Sequence, residues 1–263
     1  MKKRCFIAGA GEFCGNALPG NGDYVIAADG GYAALASRGI TPDLIIGDFD
    51  SLAPDLLGAV SDHPNVIRSS AEKDDTDMML AVRYGLEQGY ETFVINGGLG
   101  GRLDQTLANI QILVYIADSG ARGTLFGHEV GVTVIKNGEL RFSRDETGCE
   151  GEAGGKGEAG CGDETGCGGE AGCGDEAGCG SEAGGGGEVG RRGEAGCGAV
   201  SVFSARDKAE GVTLKGLKYP LDNATLTNDY PLGVSNEFTG VPAVISVCEG
   251  TLIVIWDRRS EDK

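Results

Sequence analysis

The chain has 263 residues with 40 acids and 22 bases, which gives a formal net charge of −18 at pH 7. This charge argues against a nucleic-acid or anionic-membrane partner, because both require a basic face. No apolar stretch approaches the roughly 18 residues of a membrane span, and the apolar run at residues 5–10 is too short for a signal-peptide core. We therefore expect a cytoplasmic protein.

The first half of the chain alternates short apolar runs with helical patterns. Strands are predicted at residues 5–10, 24–28, 44–46, 65–68 and 92–95. Helices are predicted at residues 33–36, 53–60 and 78–86, and another from residue 103 onward with a core-facing stripe of Leu103, Leu107, Ile110, Val114 and Ala117. This alternation predicts an α/β fold with a mostly parallel, doubly wound, Rossmann-like sheet covered by helices on both faces.

Aspartates follow several of these strands or begin the next helix. Asp48 and Asp50 come directly after the third strand, Asp29 follows the second, and Asp77 begins a helix. Ligands bind beyond the carboxyl ends of parallel strands, and carboxylate oxygens suit Mg²⁺ and the phosphates that it carries. Each aspartate alone is also typical of a turn or a helix cap, but their convergence on one edge favours a metal and phosphate site.

A glycine-rich loop precedes the helix that begins near residue 103. Its glycines are Gly97, Gly98, Gly100 and Gly101. Glycine lets the backbone approach a ligand closely, and the free N–H groups at a helix N-terminus bind phosphate. The loop lacks the Gly-Lys-Ser/Thr ending of a Walker A motif. A flexible turn is the alternative, but Arg102 favours phosphate binding because its guanidinium is forked.

From residue 131 onward the pattern changes to short strands separated by turns. These strands are predicted at residues 132–135, 139–142, 200–203, 211–215, 244–248 and 251–256. The pair Asn137-Gly138 is a strong signal for a hairpin turn. The pattern predicts an antiparallel β-sandwich or barrel, so we expect two domains, at residues 1–128 and 129–263.

Residues 146–199 interrupt this second domain with nine consecutive six-residue units that each begin with Glu. The segment holds 12 acids, 3 bases, 22 glycines and six of the nine cysteines. Val189 is its only large aliphatic residue, so it has too little apolar surface to offset the entropy of ordering. We expect a long disordered low-complexity insert at the tip of a hairpin. Metal binding by its cysteines is conceivable, although their spacing is not the C-x₂-C of a zinc site.

Together these motifs resemble the thiamine pyrophosphokinase family. The matching stretches are Asp-Gly-Gly at 29–31, Gly-Asp-Phe-Asp-Ser at 47–51, Asp-Asp-Thr-Asp at 74–77, and the glycine loop through 97–105, followed by 216–221 and 233–237. The resemblance covers the chain apart from the insert. It implies an α/β N-terminal domain, a β-sandwich C-terminal domain and a homodimer. The active sites of that dimer would lie between one subunit's N-terminal domain and its partner's C-terminal domain.

The resemblance also implies a reaction and a set of site residues. ATP would transfer its pyrophosphoryl group to the hydroxyethyl oxygen of thiamine, which gives thiamine diphosphate and AMP. Asp48, Asp50 and Asp77 would hold Mg²⁺ against the triphosphate. The triphosphate would also contact Asp29, Gly30, Ser51, Gly97, Gly98, Gly100, Gly101, Arg102 and Asp104. Thiamine would contact Tyr219, Ser235 and Asn236, and an aromatic face suits its cationic ring.

Three alternatives stay open beside this hypothesis. A non-catalytic thiamine diphosphate-binding protein would lack the metal-binding carboxylates, which are present here. A different phosphotransferase is disfavoured by residues 216–221 and 235–236. In the third alternative, the cysteine repeat has its own role in metal storage or partner binding. His63 and His128 lie in no motif, so neither is expected to be catalytic. Asp77, Asp104 or no residue at all would accept the proton of the thiamine hydroxyl.

Overall fold

The computed structural model describes residues 4–50, 52–69, 75–142 and 198–258. Its helices are α1 (Gly31–Ala36), α2 (Pro54–Asp62), α3 (Asp77–Glu87) and α4 (Leu103–Asp118). Its strands are β1 (Arg4–Ala8), β2 (Tyr24–Ala28), β3 (Leu44–Gly47), β4 (Val66–Arg68), β5 (Thr92–Asn96), β6 (Arg122–Phe126), β7 (Val130–Phe142), β8 (Ala199–Ser204), β9 (Lys208–Lys215), β10 (Leu221–Thr227), β11 (Gly233–Glu237) and β12 (Ala243–Asp257). Ser51 and the predicted insert through residue 197 lie outside the described residues.

Six parallel strands form the first half of a continuous sheet, in the order β6-β5-β1-β2-β3-β4. The central strands β1, β2 and β3 are buried along almost their whole length because both of their faces are covered. The strand order reverses between β1 and β5, since β2 to β4 continue on one side and β6 on the other. Such a reversal opens a crevice at the carboxyl ends of the two strands.

Helices cover both faces of the parallel strands, as the alternating pattern predicted. Leu35 of α1 and Val60 of α2 are buried in the cluster that contains Ile45 of β3. On the opposite face, Val82 of α3 and Ile112 of α4 are buried in a second cluster. The doubly wound α/β half of the prediction is therefore confirmed.

The remaining strands form two antiparallel layers that share β7 and β12. The first half of β12 pairs with β9, which carries β10, and its second half pairs with β8, which carries β11. Val212 of β9 and Val202 of β8 are both fully buried in one apolar cluster between the layers. This arrangement is the sandwich that the short-strand pattern predicted. Strand β7 joins it to the parallel strands through antiparallel pairing with β6.

The predicted hairpins in this half are wrong. Asn137 and Gly138 lie inside the single strand β7, where Asn137 has a φ of 46° and its Oδ1 accepts a hydrogen bond from the N–H of Gly250 at 2.9 Å. The turn signal therefore marks an irregularity where two long strands bend together. Strands β7 and β8, which flank the insert, also do not form a hairpin, because each pairs with β12.

The predicted core-facing stripe of α4 is also wrong at its N-terminal end. Leu103 is 81% exposed and Leu107 is 58% exposed, whereas Ile112, Leu113 and Ile116 are buried. The first turn of α4 projects beyond the sheet edge, so only the later turns reach the core. None of the described helices is both long and apolar enough to cross a membrane.

Candidate active site

The carboxyl ends of β2 and β3 meet closely at one edge of the sheet. The N–H of Asp29 donates to the carbonyl of Ile46 at 2.7 Å, and Asp29 has a φ of 47°. A Cβ atom on Gly47 would lie 3.0 Å from the Asp29 Cα, so a larger residue would push the two strand ends apart. Asp29 therefore lies directly beside the start of the Asp48–Asp50 turn.

The turn after β3 is built around a buried aromatic ring. Phe49 is 2% exposed and has a φ of 64°, in the left-handed region that non-glycine residues rarely adopt. The N–H of Asp50 donates to Oδ1 of Asp48 at 3.2 Å. Burying Phe49 leaves Asp48 half-buried and Asp50 exposed at the sheet edge. Strained turns of this kind concentrate at functional sites.

Ser69 brings Asp77 to the same edge. The Ser69 N–H donates to the carbonyl of Gly47 at 3.0 Å, and its hydroxyl donates to Oδ1 of Asp77 at 2.9 Å. Thr76 caps α3 by accepting from the N–H of Met79 at 3.2 Å, which leaves Asp77 in the first turn. Sequence analysis missed Ser69, because a serine after a strand is also typical of an ordinary turn.

The glycine loop adopts a conformation that only glycine accepts readily. Gly97, Gly100 and Gly101 have φ values of 73°, 82° and 64°. A Cβ on Gly97 would lie 2.3 Å from the carbonyl oxygen of Gly9, in the loop that follows β1. The N–H of Gly11 also donates to the Gly97 carbonyl at 2.7 Å. The two loops at the strand-order reversal therefore pack backbone to backbone.

Two buried asparagines hold these loops in place. The Asn96 carboxamide accepts from the N–H of Cys14 at 2.8 Å and donates to the carbonyls of Cys14 at 2.8 Å and Ala17 at 2.6 Å. Asn109 of α4 donates to the carbonyl of Gly98 at 2.8 Å. Asn96 is fully buried and Asn109 is 7% exposed. Neither was singled out from the sequence, because an asparagine in a strand or helix has no recognisable pattern.

Arg102 and Asp104 form an exposed ion pair at the start of α4. The Arg102 Nη2 lies 2.6 Å from the Asp104 Oδ2, and their side chains are 73% and 63% exposed. The hydrogen bond from Arg102 holds the pKa of the Asp104 carboxyl below its ordinary value. Asp104 therefore carries its charge at neutral pH, and Arg102 lies at the mouth of the glycine loop.

The carboxylates at this edge suit a magnesium ion by their chemistry. Among the residues described, no group of three His, Cys, Asp or Glu side chains is close enough together to hold a metal ion. Mg²⁺ is usually held by only one or two carboxylates, with phosphate oxygens and waters completing its coordination. Asp48, Asp50 and Asp77 provide such oxygen ligands at one sheet edge, so the donor set fits magnesium bound together with a phosphorylated ligand.

The residues that sequence analysis assigned to thiamine lie in the antiparallel half. Asn236 is 3% exposed, and its carboxamide accepts from the N–H of Tyr219 at 2.9 Å and donates to the Tyr219 carbonyl at 2.6 Å. The side chain of Tyr219 is left 57% exposed. Ser235 is exposed with a φ of 58°, and its N–H donates to the hydroxyl of Ser201 at 3.1 Å. Asn236 therefore fixes the Tyr219 backbone rather than presenting a free amide.

These two groups of residues are far apart within one chain. Six strand spacings separate β3, which ends just before Asp48, from β12, and β8 and β11 lie beyond it. At about 4.8 Å per spacing, the separation along the sheet is about 30 Å. Tyr219 and Asp48 therefore belong to opposite halves of the sheet order.

The fold and its edge define the class of protein: an α/β protein whose acidic turn and glycine loop lie at the carboxyl ends of its parallel strands. Residues 16–125 match the family model described as thiamin pyrophosphokinase, catalytic domain, and residues 192–252 match the vitamin B1 binding domain of thiamin pyrophosphokinase. The chain belongs to the thiamine pyrophosphokinase family. A curated relative, thiamine pyrophosphokinase of Bacillus subtilis (strain 168), is 26% identical over 231 residues, which cover 88% of this chain and 85% of the relative.

Several solved structures share this fold. The crystal structure of thiamine pyrophosphokinase from Bacillus subtilis aligns with a TM-score of 0.70 and 23% identity, covering 98% of this chain and 100% of the other. The crystal structure of thiamin pyrophosphokinase from Geobacillus thermodenitrificans also aligns with a TM-score of 0.70 and 23% identity, covering 98% of this chain and 99% of the other. The structure of thiamin pyrophosphokinase from Candida albicans aligns with a TM-score of 0.64 and 15% identity, covering 98% of this chain and 90% of the other. At these identities the structures show that the fold is shared.

Proposed function

We propose that this chain catalyses the reaction that its family name describes, the transfer of pyrophosphate from ATP to thiamine. The observation that carries the proposal is the joint position of Asp29, Asp48, Asp77 and the glycine loop at one sheet edge, within the region that matches the catalytic-domain model. Acids and glycines in this arrangement suit a metal-bound triphosphate.

The proposed reaction is a displacement at the β-phosphorus of ATP. The hydroxyethyl oxygen of thiamine forms a bond to that phosphorus, and the bond between the β-phosphorus and the oxygen bridging to the α-phosphate breaks. AMP leaves with the bridging oxygen, and the hydroxyl proton passes to solvent or to a carboxylate. Such transfers depend mainly on positioning and on neutralising charge, so the absence of a motif histidine does not oppose the proposal.

Magnesium would be held by Asp48, Asp50 and Asp77, and it would neutralise phosphate charge during transfer. Ser69 would orient Asp77, and Asp29 with Gly30 would form the neighbouring wall. Ser51, which lies outside the described residues, stays a predicted triphosphate contact.

The glycine loop would bind phosphate oxygens through its backbone N–H groups. The loop meets the N-terminus of α4, where the first N–H groups have no partner within the helix. Arg102 would add a charged donor, and Asp104 would hold that guanidinium at the mouth of the loop. Asn96 and Asn109 would keep the loop in its binding conformation.

We further propose that two copies of the chain complete each active site. The separation of about 30 Å along the sheet would require the Tyr219 and Ser235 of one subunit to meet the carboxylates of its partner. Each subunit of this homodimer would have two domains, at residues 1–128 and 129–263. Mixing an Asp48→Asn variant with a Tyr219→Ala variant tests the arrangement. If each site is built from two subunits, a mixed dimer has one site with both residues intact and regains activity; if each site lies within one subunit, the mixture stays inactive.

AMP release from ATP and Mg²⁺, with and without thiamine, tests the reaction itself. We expect AMP release to require thiamine and to fall by about a hundredfold in Asp48→Asn, because loss of a direct metal ligand should cost as much as the largest losses seen for outer-shell partners. Asp62→Asn, an exposed acid at the end of α2, is the control and should match wild type. Folded protein that binds thiamine without releasing AMP would instead favour the non-catalytic binding protein. The cytoplasm remains the proposed location, and nucleic acid is not a proposed partner.

A further inference from the structure

Arg68 ends β4 beside the acidic turn, at a position that no motif of the sequence includes. In the register of the parallel pair, Arg68 lies opposite Gly47, the residue immediately before Asp48. Its guanidinium carbon is 5.4 Å from the centroid of the Phe49 ring, and the Arg68 side chain is exposed. Since Phe49 lies between Asp48 and Asp50 in the chain, the guanidinium lies over the central residue of the acidic turn.

The contacts of Arg68 differ from those of the other arginine at this edge. Arg102 is paired with Asp104. Within the part of the chain that the structure describes, Arg68 forms no ion pair and donates no hydrogen bond, although two aspartates lie in the adjoining turn. The ring of Phe49, which burial holds in place, is its described contact.

A guanidinium that lies over an aromatic ring keeps its in-plane N–H groups available for other partners. Those donors match the spacing of phosphate oxygens, and guanidinium is more weakly hydrated than ammonium. A phosphorylated ligand that carries magnesium to Asp48 and Asp50 would bring its oxygens next to these donors. We propose that Arg68 is a phosphate-binding residue of this site and holds the transferred pyrophosphoryl group on the side opposite the glycine loop.

The proposal rests on the proposed function for the identity of the phosphate ligand, a nucleoside triphosphate. It goes further by placing a second arginine at the site, so that Arg68 and the glycine loop contact the triphosphate from two sides. The alternative is that Arg68 only offsets repulsion between the neighbouring carboxylates. In that case its removal would change the affinity for Mg²⁺ alone and leave the affinity for phosphate unchanged.

Calorimetric titration separates these possibilities without depending on turnover. Mg²⁺ alone, and the two phosphate ligands magnesium–ATP and magnesium–pyrophosphate, are each titrated into wild type, Arg68→Gln, Arg68→Lys and the control Arg38→Gln. Arg38 is a matched control because its exposed guanidinium lies 4.5 Å from the ring centroid of Phe13 and donates hydrogen bonds to Ala34 and Ser37, away from the acidic turn. Unfolding midpoints in urea establish that each variant is folded.

We expect Arg68→Gln to weaken binding of both ligands about tenfold, the loss typical of one charge-assisted hydrogen bond. Arg68→Lys should recover part of that loss, and Arg38→Gln should bind as wild type does. Unchanged binding in Arg68→Gln, or a change confined to Mg²⁺ alone, would overturn the proposal. Wild type that binds magnesium–ATP but releases no AMP with thiamine would contradict the proposed function while leaving this comparison valid. Wild type that binds neither ligand would overturn both.

Discussion

The Ser69 hydroxyl donates a hydrogen bond of 2.9 Å to the carboxylate of Asp77, which joins the end of β4 to the first turn of α3. The Ser69 N–H is itself bonded to the carbonyl of Gly47, so this serine connects both ends of the acidic edge. A bond of this kind fixes the orientation of a carboxylate before any ligand binds.

Replacing Ser69 with alanine should therefore weaken magnesium binding at the site without unfolding the protein. We expect the Mg²⁺ concentration for half-maximal AMP release to rise about tenfold, as for loss of a group that orients a metal ligand. The control is Ser61→Ala, which removes an exposed hydroxyl bonded to the Leu57 carbonyl in α2. Equal Mg²⁺ dependence in Ser69→Ala and wild type would show that Asp77 needs no such orientation.

Asn96 should be among the residues whose loss destabilises the protein most. Asn96→Ala removes three buried hydrogen bonds, which satisfy the Cys14 N–H, the Ala17 carbonyl and, beside the Ala17 N–H at 3.3 Å, the Cys14 carbonyl. We expect a loss of about 3 kcal/mol in the free energy of unfolding. Urea denaturation followed by the fluorescence of the single tryptophan, Trp256, measures it. Asn109→Ala removes one such bond and should lose less, so the reverse order would contradict this account.

Two glycine-to-alanine substitutions should have opposite effects on stability. Gly97→Ala should lose several kcal/mol, because its φ is 73° and its Cβ would lie 2.3 Å from the Gly9 carbonyl oxygen. Gly58→Ala should gain about 0.5–1 kcal/mol, because the residue lies within α2 with no atom near the new Cβ. The same urea titration measures both. A stable Gly97→Ala protein would mean that the two loops separate easily.

The stability that Asp118 contributes should depend on pH. Hydrogen bonding from Lys136, together with the charge of Arg206, lowers the pKa of the Asp118 carboxyl. A carboxyl whose pKa is lower in the folded state stabilises the protein above the unfolded-state pKa, and that contribution is lost as the pH falls through the folded-state pKa. The side chains are partly exposed to solvent, so the contribution is only about 1 kcal/mol or less.

Asp118→Asn should therefore be less stable than wild type at pH 7, and this difference should shrink below the ordinary aspartate pKa of about 3.9. Unfolding midpoints measured from pH 7 to pH 3 test the expectation. Asp62→Asn, which alters an exposed acid of α2, supplies the control. A difference that persists unchanged at pH 3 would assign the effect to packing rather than to charge.

The parallel half of the fold was predictable because its signals are local. Buried parallel strands read as continuous apolar runs, and the helices between them carry their own periodicity. Strand β2 was predicted with the ends that the structure has, and β3 and β5 were each predicted to within one residue. The aspartates after these strands could be assigned to one edge, because parallel strands place their carboxyl ends together.

The pairing of the antiparallel strands was not predictable in the same way. Asn137-Gly138 has the composition of a hairpin turn, yet β7 continues through it, because pairing with β12 along both halves outweighs the local preference. Leu103 and Leu107 fit a helical stripe, but their burial depends on whether the sheet extends beneath the first turn of α4. Such facts depend on residues distant in sequence.

The sequence by itself determined the fold class, the family and the group of residues at the ligand-binding edge, because each depends on short motifs and their order along the chain. Tertiary structure alone decided how that edge is supported. It paired Ser69 with Asp77, bonded the buried Asn96 to the loop that follows β1, and placed Arg68 over Phe49. These contacts join strand ends and loops that chain folding brings together. The local sequence around a serine, an asparagine or an arginine does not indicate which residue its side chain will contact.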